Sequence, residues 1–132
     1  MIISAEPTFL TVEEVILFQH DQLRAHGGSP GIRDRGALIS AVAMPRQAFG
    51  GEFLHRDLFE MAAAYVFHIA ENQPFVDGNK RTALDAALTF LAVNGVDLDD
   101  PQERLYEALM ALAAHQVDKG ALAEVLRGLL GS

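Results

Sequence analysis

Gln73-Pro74-Phe75-Val76-Asp77-Gly78-Asn79-Lys80-Arg81-Thr82 runs directly into a stretch in which Ala83, Leu84, Ala86, Ala87, Leu88, Phe90, Leu91, Ala92 and Val93 leave almost no polar face. Proline disfavours helical geometry in the residue before it, so whatever helix precedes this segment ends before Pro74. Asp-Gly-Asn is turn chemistry. A helix that then runs from residue 79 to about 94, apolar on every side, belongs inside a protein. The segment therefore reads as a polar loop opening a buried helix, and the rest of the chain must supply the layers that bury it.

Working outward, helix signals recur on both sides. Thr11-Val12-Glu13-Glu14 has the spacing of a capping box, and the helix behind it stops at Gly27-Gly28. Asp34 is placed to cap a second helix, with Ala37, Leu38, Ala41 and Val42 on one face and Pro45 ending it. The glycines in Phe49-Gly50-Gly51-Glu52-Phe53-Leu54-His55 argue for a loop or a short hairpin-like flap. A third helix starts near Asp57, with Leu58, Ala62, Tyr65 and Ile69 at helical spacing. After Asn94-Gly95, the run Asp100-Pro101-Gln102-Glu103 offers an N-cap, a proline at the first helical position and a capping-box acid. Leu105, Ala108, Leu109 and Leu112 form the core face of that fifth helix. Asp118 is placed to cap a sixth, carrying Leu122, Val125, Leu126 and Leu129. No stretch alternates long enough for a major strand, and there are no repeats, low-complexity tracts or linkers. The expectation is an all-α, compact bundle of about six helices with a short flap, spanning residues 1–132 as a single domain.

Composition sets limits on function. The chain has 132 residues, half of them apolar, enough for a sizeable core. It has no cysteine, so thiolate metal sites and disulfides are excluded. No apolar run is long enough to span a membrane. The start, Met1-Ile2-Ile3-Ser4-Ala5-Glu6-Pro7, lacks the basic and apolar segments of a signal peptide, and the expected location is the cytoplasm. A net charge of −8 argues against a nucleic-acid-binding surface.

Against that acidic background, Lys80 and Arg81 stand next to each other at a helix start. The first turn of a helix presents backbone N–H groups without partners and a partial positive charge, both of which favour an anion. Gly78 lets a ligand approach the backbone, Lys80 and Arg81 add full charges, and Asn79 offers a neutral donor and acceptor. Asp77 is the kind of lone carboxylate that Mg²⁺ accepts alongside phosphate oxygens. The competing reading is structural: Asp77 or Asn79 simply caps the turn.

The run from Pro74 to Leu84 resembles the signature of the Fic/Doc superfamily, on its Doc (death-on-curing) branch. The likeness extends to Gly27-Gly28-Ser29-Pro30-Gly31-Ile32-Arg33-Asp34, to Phe49-Gly50-Gly51-Glu52, to Asp57-Leu58-Phe59-Glu60 and to Phe90-Leu91-Ala92-Val93-Asn94-Gly95, in the expected order over roughly residues 10 to 97. The resemblance implies a small helical toxin paired with a Phd-type antitoxin whose C-terminal segment folds onto it. It implies ATP and Mg²⁺ as cofactors and transfer of the terminal phosphate to a hydroxyl of elongation factor Tu. Asp77 would hold the metal, and Gly78, Asn79, Lys80 and Arg81 the phosphates. Phe75 would fix the loop, and the flap around residues 50–55 would help dock the target. Fic relatives, which transfer AMP, usually carry Gly where Lys80 stands.

One position departs from the family. Its first motif residue is a His that takes the proton from the target hydroxyl, and this chain has Gln73. An imidazole accepts a proton near neutral pH; an amide hydrogen-bonds but does not. Losing a general base removes about 10² to 10⁴ in rate. Positioning and charge neutralisation carry much of phosphoryl transfer, so residual activity is compatible with Gln73. His68 and His55 are the candidates for a replacement base, while His20, His26 and His115 read as surface or helix-end residues. The alternatives are a Fic-type AMP transferase and an inactive module that keeps the fold and its antitoxin.

Overall fold

A computed structural model describes residues 6–114, 116 and 118–130. The signal-peptide reading of residues 1–5 and the placing of His115 lie outside the described residues.

Six helices carry the fold: α1 (Val12–His26), α2 (Arg35–Ala43), α3 (Leu58–Asn72), α4 (Asn79–Val93), α5 (Arg104–Ala113) and α6 (Gly120–Leu130). Each early helix starts where a side chain satisfies first-turn N–H groups. Thr11 and Glu14 form the complete capping box of α1, Asp34 accepts from Ala37, and Asp57 accepts from Glu60. A 3-10 turn at Met44–Arg46, with Pro45 buried, ends α2 and leads into the flap. The flap is a small antiparallel hairpin, β1 (Ala48–Phe49) with β2 (Glu52–Phe53), pairing Ala48 with Phe53 and Phe49 with Glu52.

The core forms around α3. Its Met61, Ala62, Ala63, Ala64, Tyr65, Val66 and Ile69 are buried, and the run of alanines lets neighbouring helices approach closely. Ala83, Ala86, Ala87, Phe90 and Leu91 of α4 and Leu122, Leu126 and Leu129 of α6 join the same core, as do Leu38 and Val42 of α2. Tyr65 and Phe90 pack with ring centres 5.2 Å apart, and Phe9 stacks on Phe90 at 5.8 Å. Burial pushes the Tyr65 phenol up to about 12, and its oxygen accepts the Leu10 N–H at 2.9 Å. No described helix is long and apolar enough to cross a membrane.

Three local expectations need correction. α4 is not enclosed on all sides: Ala92 and Val93, at its C-terminal end, are exposed. α5 starts at Arg104, not at Pro101. Pro101 and Gln102 lie in a turn, Glu103 takes a left-handed conformation (φ 54°), and the Asp100 carboxylate reaches over them to accept from the N–H groups of Arg104 and Leu105, both at 2.9 Å. α6 opens two residues beyond Asp118, whose carbonyl accepts from Ala121.

Candidate functional site

The loop between α3 and α4 is shaped by three sets of hydrogen bonds. Gln73 ends α3 in the left-handed region (φ 46°, ψ 57°), turning the chain sharply out of the helix. Arg33 holds that turn from across the chain: Nε donates to the Gln73 carbonyl at 2.6 Å and Nη2 to that of Asn72 at 2.8 Å. Its backbone N–H donates to Pro74 at 2.7 Å. Next, residues 31–32 pair with the loop through a β-bridge between Ile32 and Phe75 and a bond from the Val76 N–H to the Gly31 carbonyl at 3.0 Å. Phe75 is buried, as expected of an anchor. Finally, the Asn79 amide closes a ring on Phe75, with Oδ1 accepting its N–H at 2.9 Å and Nδ2 donating to its carbonyl at 3.0 Å.

Asp77 and Gly78 sit at the exposed crest of this frame. The Asp77 carbonyl accepts from buried Gln19 at 3.2 Å, and Oδ2 accepts the Ser29 N–H at 2.8 Å, leaving Oδ1 without a partner among the described residues. Gly28 makes that approach feasible, since a Cβ there would lie 3.2 Å from the Asp77 Cβ and 2.9 Å from Leu23 Cδ2. Gly78, at φ 81°, is the N-cap of α4, and no side chain caps the helix. That contrasts with α1, α2, α3 and α5, in each of which at least one first-turn N–H donates to a side-chain oxygen. The start of α4 therefore keeps free donors and its share of the helix dipole.

Lys80 is exposed and makes no ion pair among the described residues. Arg81 is more constrained. Its Nη1 donates to Glu103 at 2.6 Å and its guanidinium lies 4.5 Å from the centre of the Tyr106 ring, so α5 and the turn before it steer this cation. Nε and Nη2 carry no partner among the described residues. Beside the loop, a groove of about 570 Å³ runs along α1, lined by His20, Leu23, Arg24, Gly28 and Pro30.

The described residues contain no cluster of three or more His, Asp or Glu side chains placed to hold a metal. Asp77 alone is compatible with Mg²⁺, which binds through one or two carboxylates when phosphate oxygens supply further ligands. The uncapped α4 start, the bare Gly78 backbone and unpaired Lys80 fit a phosphate group.

The family model described as "Fic/DOC family" matches residues 9–91, more than half of the chain. The chain belongs to the Fic/Doc family. It is 34% identical over 123 residues to "Protein kinase doc" of Escherichia phage P1, covering 93% of this chain and 96% of the relative. It is 40% identical over 106 residues to "Toxin Doc" of Mycolicibacterium smegmatis (strain ATCC 700084 / mc(2)155), covering 79% and 82%. Both relatives place it on the Doc side of the family.

In this Doc-type protein, Gln73, Asp77, Gly78, Asn79, Lys80 and Arg81 lie on one loop and one helix turn, but not all of their side chains are free for a ligand. The Asn79 side chain is spent on Phe75, leaving its backbone N–H for a ligand. Neither candidate replacement base faces the loop. His68 Nε2 lies 3.1 Å and His55 Nε2 3.5 Å from Lys119 Nζ. Burial, then the Lys119 charge and His55, holds His68 down at about 4. His20 and His26 are exposed on α1. The sequence reading missed Gln19, Arg33 and Ser29 as supports of the loop. Arg33 falls within a quoted family-like segment, whereas nothing in the spacing marks Gln19.

Proposed function

We propose that this protein is a Doc-type toxin that transfers the terminal phosphate of ATP to a hydroxyl of elongation factor Tu, acts in the cytoplasm, and is neutralised by a Phd-like antitoxin. The names of its relatives, a protein kinase and a toxin, support the class. The observation that carries the reading is the start of α4: of the first five helices, it alone has no first-turn N–H bonded to a side-chain oxygen among the described residues, and it begins at a glycine near an unpaired lysine.

On this reading the first-turn N–H groups and Lys80 bind the phosphates. Arg81 reaches the same anion through Nε and Nη2 while Glu103 retains Nη1. Mg²⁺, when bound at Asp77 with the nucleotide, neutralises charge on the phosphate oxygens. The groove along α1 gives room for the nucleoside. Gln73 hydrogen-bonds and orients the acceptor hydroxyl but leaves its proton to solvent, so turnover is about 10² to 10⁴ slower than with a base in place.

Gln73 also supports a second reading, a module that binds nucleotide and antitoxin without turnover. Incubation with elongation factor Tu and ATP labelled on the γ or the α phosphate separates the readings. Slow γ-label transfer that rises at least about 10²-fold in Gln73→His is the expected result. Transfer of α label makes the protein an AMP transferase, and no transfer by either form leaves the binding module.

A further inference from the structure

Away from the loop, a cavity of about 450 Å³ opens between α3, α6 and the segment leaving the flap; Leu54, His55, Arg56, Glu60, Lys119 and Arg127 are among its lining residues. Most of its charges are matched. Arg127 pairs with Asp57 at 2.8 Å, with Glu60 at 3.6 Å and with Glu124, and Arg56 also reaches Glu60 at 3.6 Å. Lys119 is the exception. Its half-buried ammonium meets two imidazole nitrogens and the face of Phe67 at 5.2 Å, and no carboxylate among the described residues pairs with it.

Two neutral rings are a poor substitute for a counter-charge. An ammonium carries three donors, of which the imidazole Nε2 atoms take two. Withdrawing such a group from water costs free energy that a neutral acceptor only partly offsets. Accepting from Lys119 also puts the remaining proton of His55 on Nδ1, which is buried and makes no hydrogen bond among the described residues. The Pro45 carbonyl favours a protonated His55 ring without meeting hydrogen-bond geometry at Nδ1. His55 itself is 9% exposed, so bulk water does not serve this donor. In a chain of net charge −8, a half-buried cation with one donor to spare beside a metabolite-sized cavity lacks an anion. Leu54, Ala63 and Ala123 line the same space and suit an apolar body attached to that anion.

We propose that this cavity is a second ligand site, which binds a small organic carboxylate or phosphate monoester with its anionic end on Lys119. The assignment is independent of the reading given to the α4 loop. It rests on residues that the Fic/Doc motif does not include.

Side-chain NMR of the full chain tests it. Butyrate and inorganic phosphate are titrated at constant ionic strength against chloride, following the ring resonances of His55 and His68 and the Lys119 Nζ signal. The expected result is a saturable shift with half-saturation on the order of millimolar or below. Saturation by butyrate alone assigns a carboxylate site, and saturation by phosphate alone a phosphate site. Amide signals from the start of α4 report separately on phosphate binding there. Lys119→Met should weaken binding at least about tenfold, whereas Lys119→Arg should retain it. Shifts that match chloride, never saturate, or persist unchanged in Lys119→Met overturn the proposal.

Discussion

Gln73 matters for its backbone as much as for its amide. A residue with a Cβ in the left-handed region carries a cost of about 1–2 kcal/mol, and here Arg33 and the Ile32–Phe75 bridge hold it there. Glycine would relieve that strain but adds freedom to the unfolded chain. Gln73→Gly is therefore expected to raise stability to urea modestly, by up to about 1 kcal/mol. A loss of stability would show that the Gln73 side chain contributes contacts beyond its backbone. Asn79 makes the opposite case. Its amide satisfies both backbone groups of Phe75, so Asn79→Ala should cost about 1–3 kcal/mol in urea unfolding and loosen the loop. The sequence reading placed Asn79 at the site but assigned it to phosphate or to a cap. Its actual partner becomes visible only when the loop folds back over four residues, a closure no spacing rule encodes.

At the scale of elements, the helix ends that proved legible are those governed by local chemistry. Thr11 with Glu14, Asp34 and Asp57 bond to N–H groups three residues on, and a proline or glycine marks the stops. The start of α5 was misplaced because the same residues, Asp100 to Glu103, support two solutions. A helix could begin at Pro101, or the carboxylate could span an extra turn. The second lets Glu103 meet Arg81, a contact twenty-two positions away in sequence that local pattern cannot register. Asp100→Ala should therefore cost about 1–2 kcal/mol, with faster amide exchange confined to the first turn of α5. Exchange that rises equally along α5 and α6 would mean that Asp100 secures the whole C-terminal layer. The exposed end of α4 teaches the same: periodicity reports which residues are apolar, but only tertiary packing decides which of them are covered.

Over the whole molecule, α3 leads into the loop at its C-terminal end and lines the Lys119 cavity with Glu60 and Ala63, and ionisable groups on and around it couple folding to pH. His68 on α3 is held at about 4, by burial first and then by Lys119 and His55. Burial and Lys119 lower His55 too, against the opposing effects of Glu60 and the Pro45 carbonyl. In the unfolded chain both rings titrate near 6.5. Between that value and about 4 the unfolded chain binds protons that folded His68 refuses, so this contribution is complete above pH 6.5 and declines as the pH falls. Asp57 changes stability at lower pH. Burial opposes its ionisation, but Arg127 and the first-turn N–H groups of α3 hold it below the usual carboxylate range, so its stabilisation is lost only in stronger acid. Asp85 acts in the opposite sense: burial raises it despite hydrogen bonds from Gln22 and Thr89, and its protonation relieves a cost at low pH. The histidines therefore govern the mildly acidic range. Urea unfolding from about pH 7.5 to pH 4.5 should show a loss attributable to His68 on the order of 1–2 kcal/mol, reduced from the full shift because the ring is partly exposed. His68→Gln removes that titration while keeping a polar side chain beside Lys119, so its stability should fall less over the same range. Parallel pH profiles for the two proteins would mean that folding leaves His68 as free to protonate as in the unfolded chain.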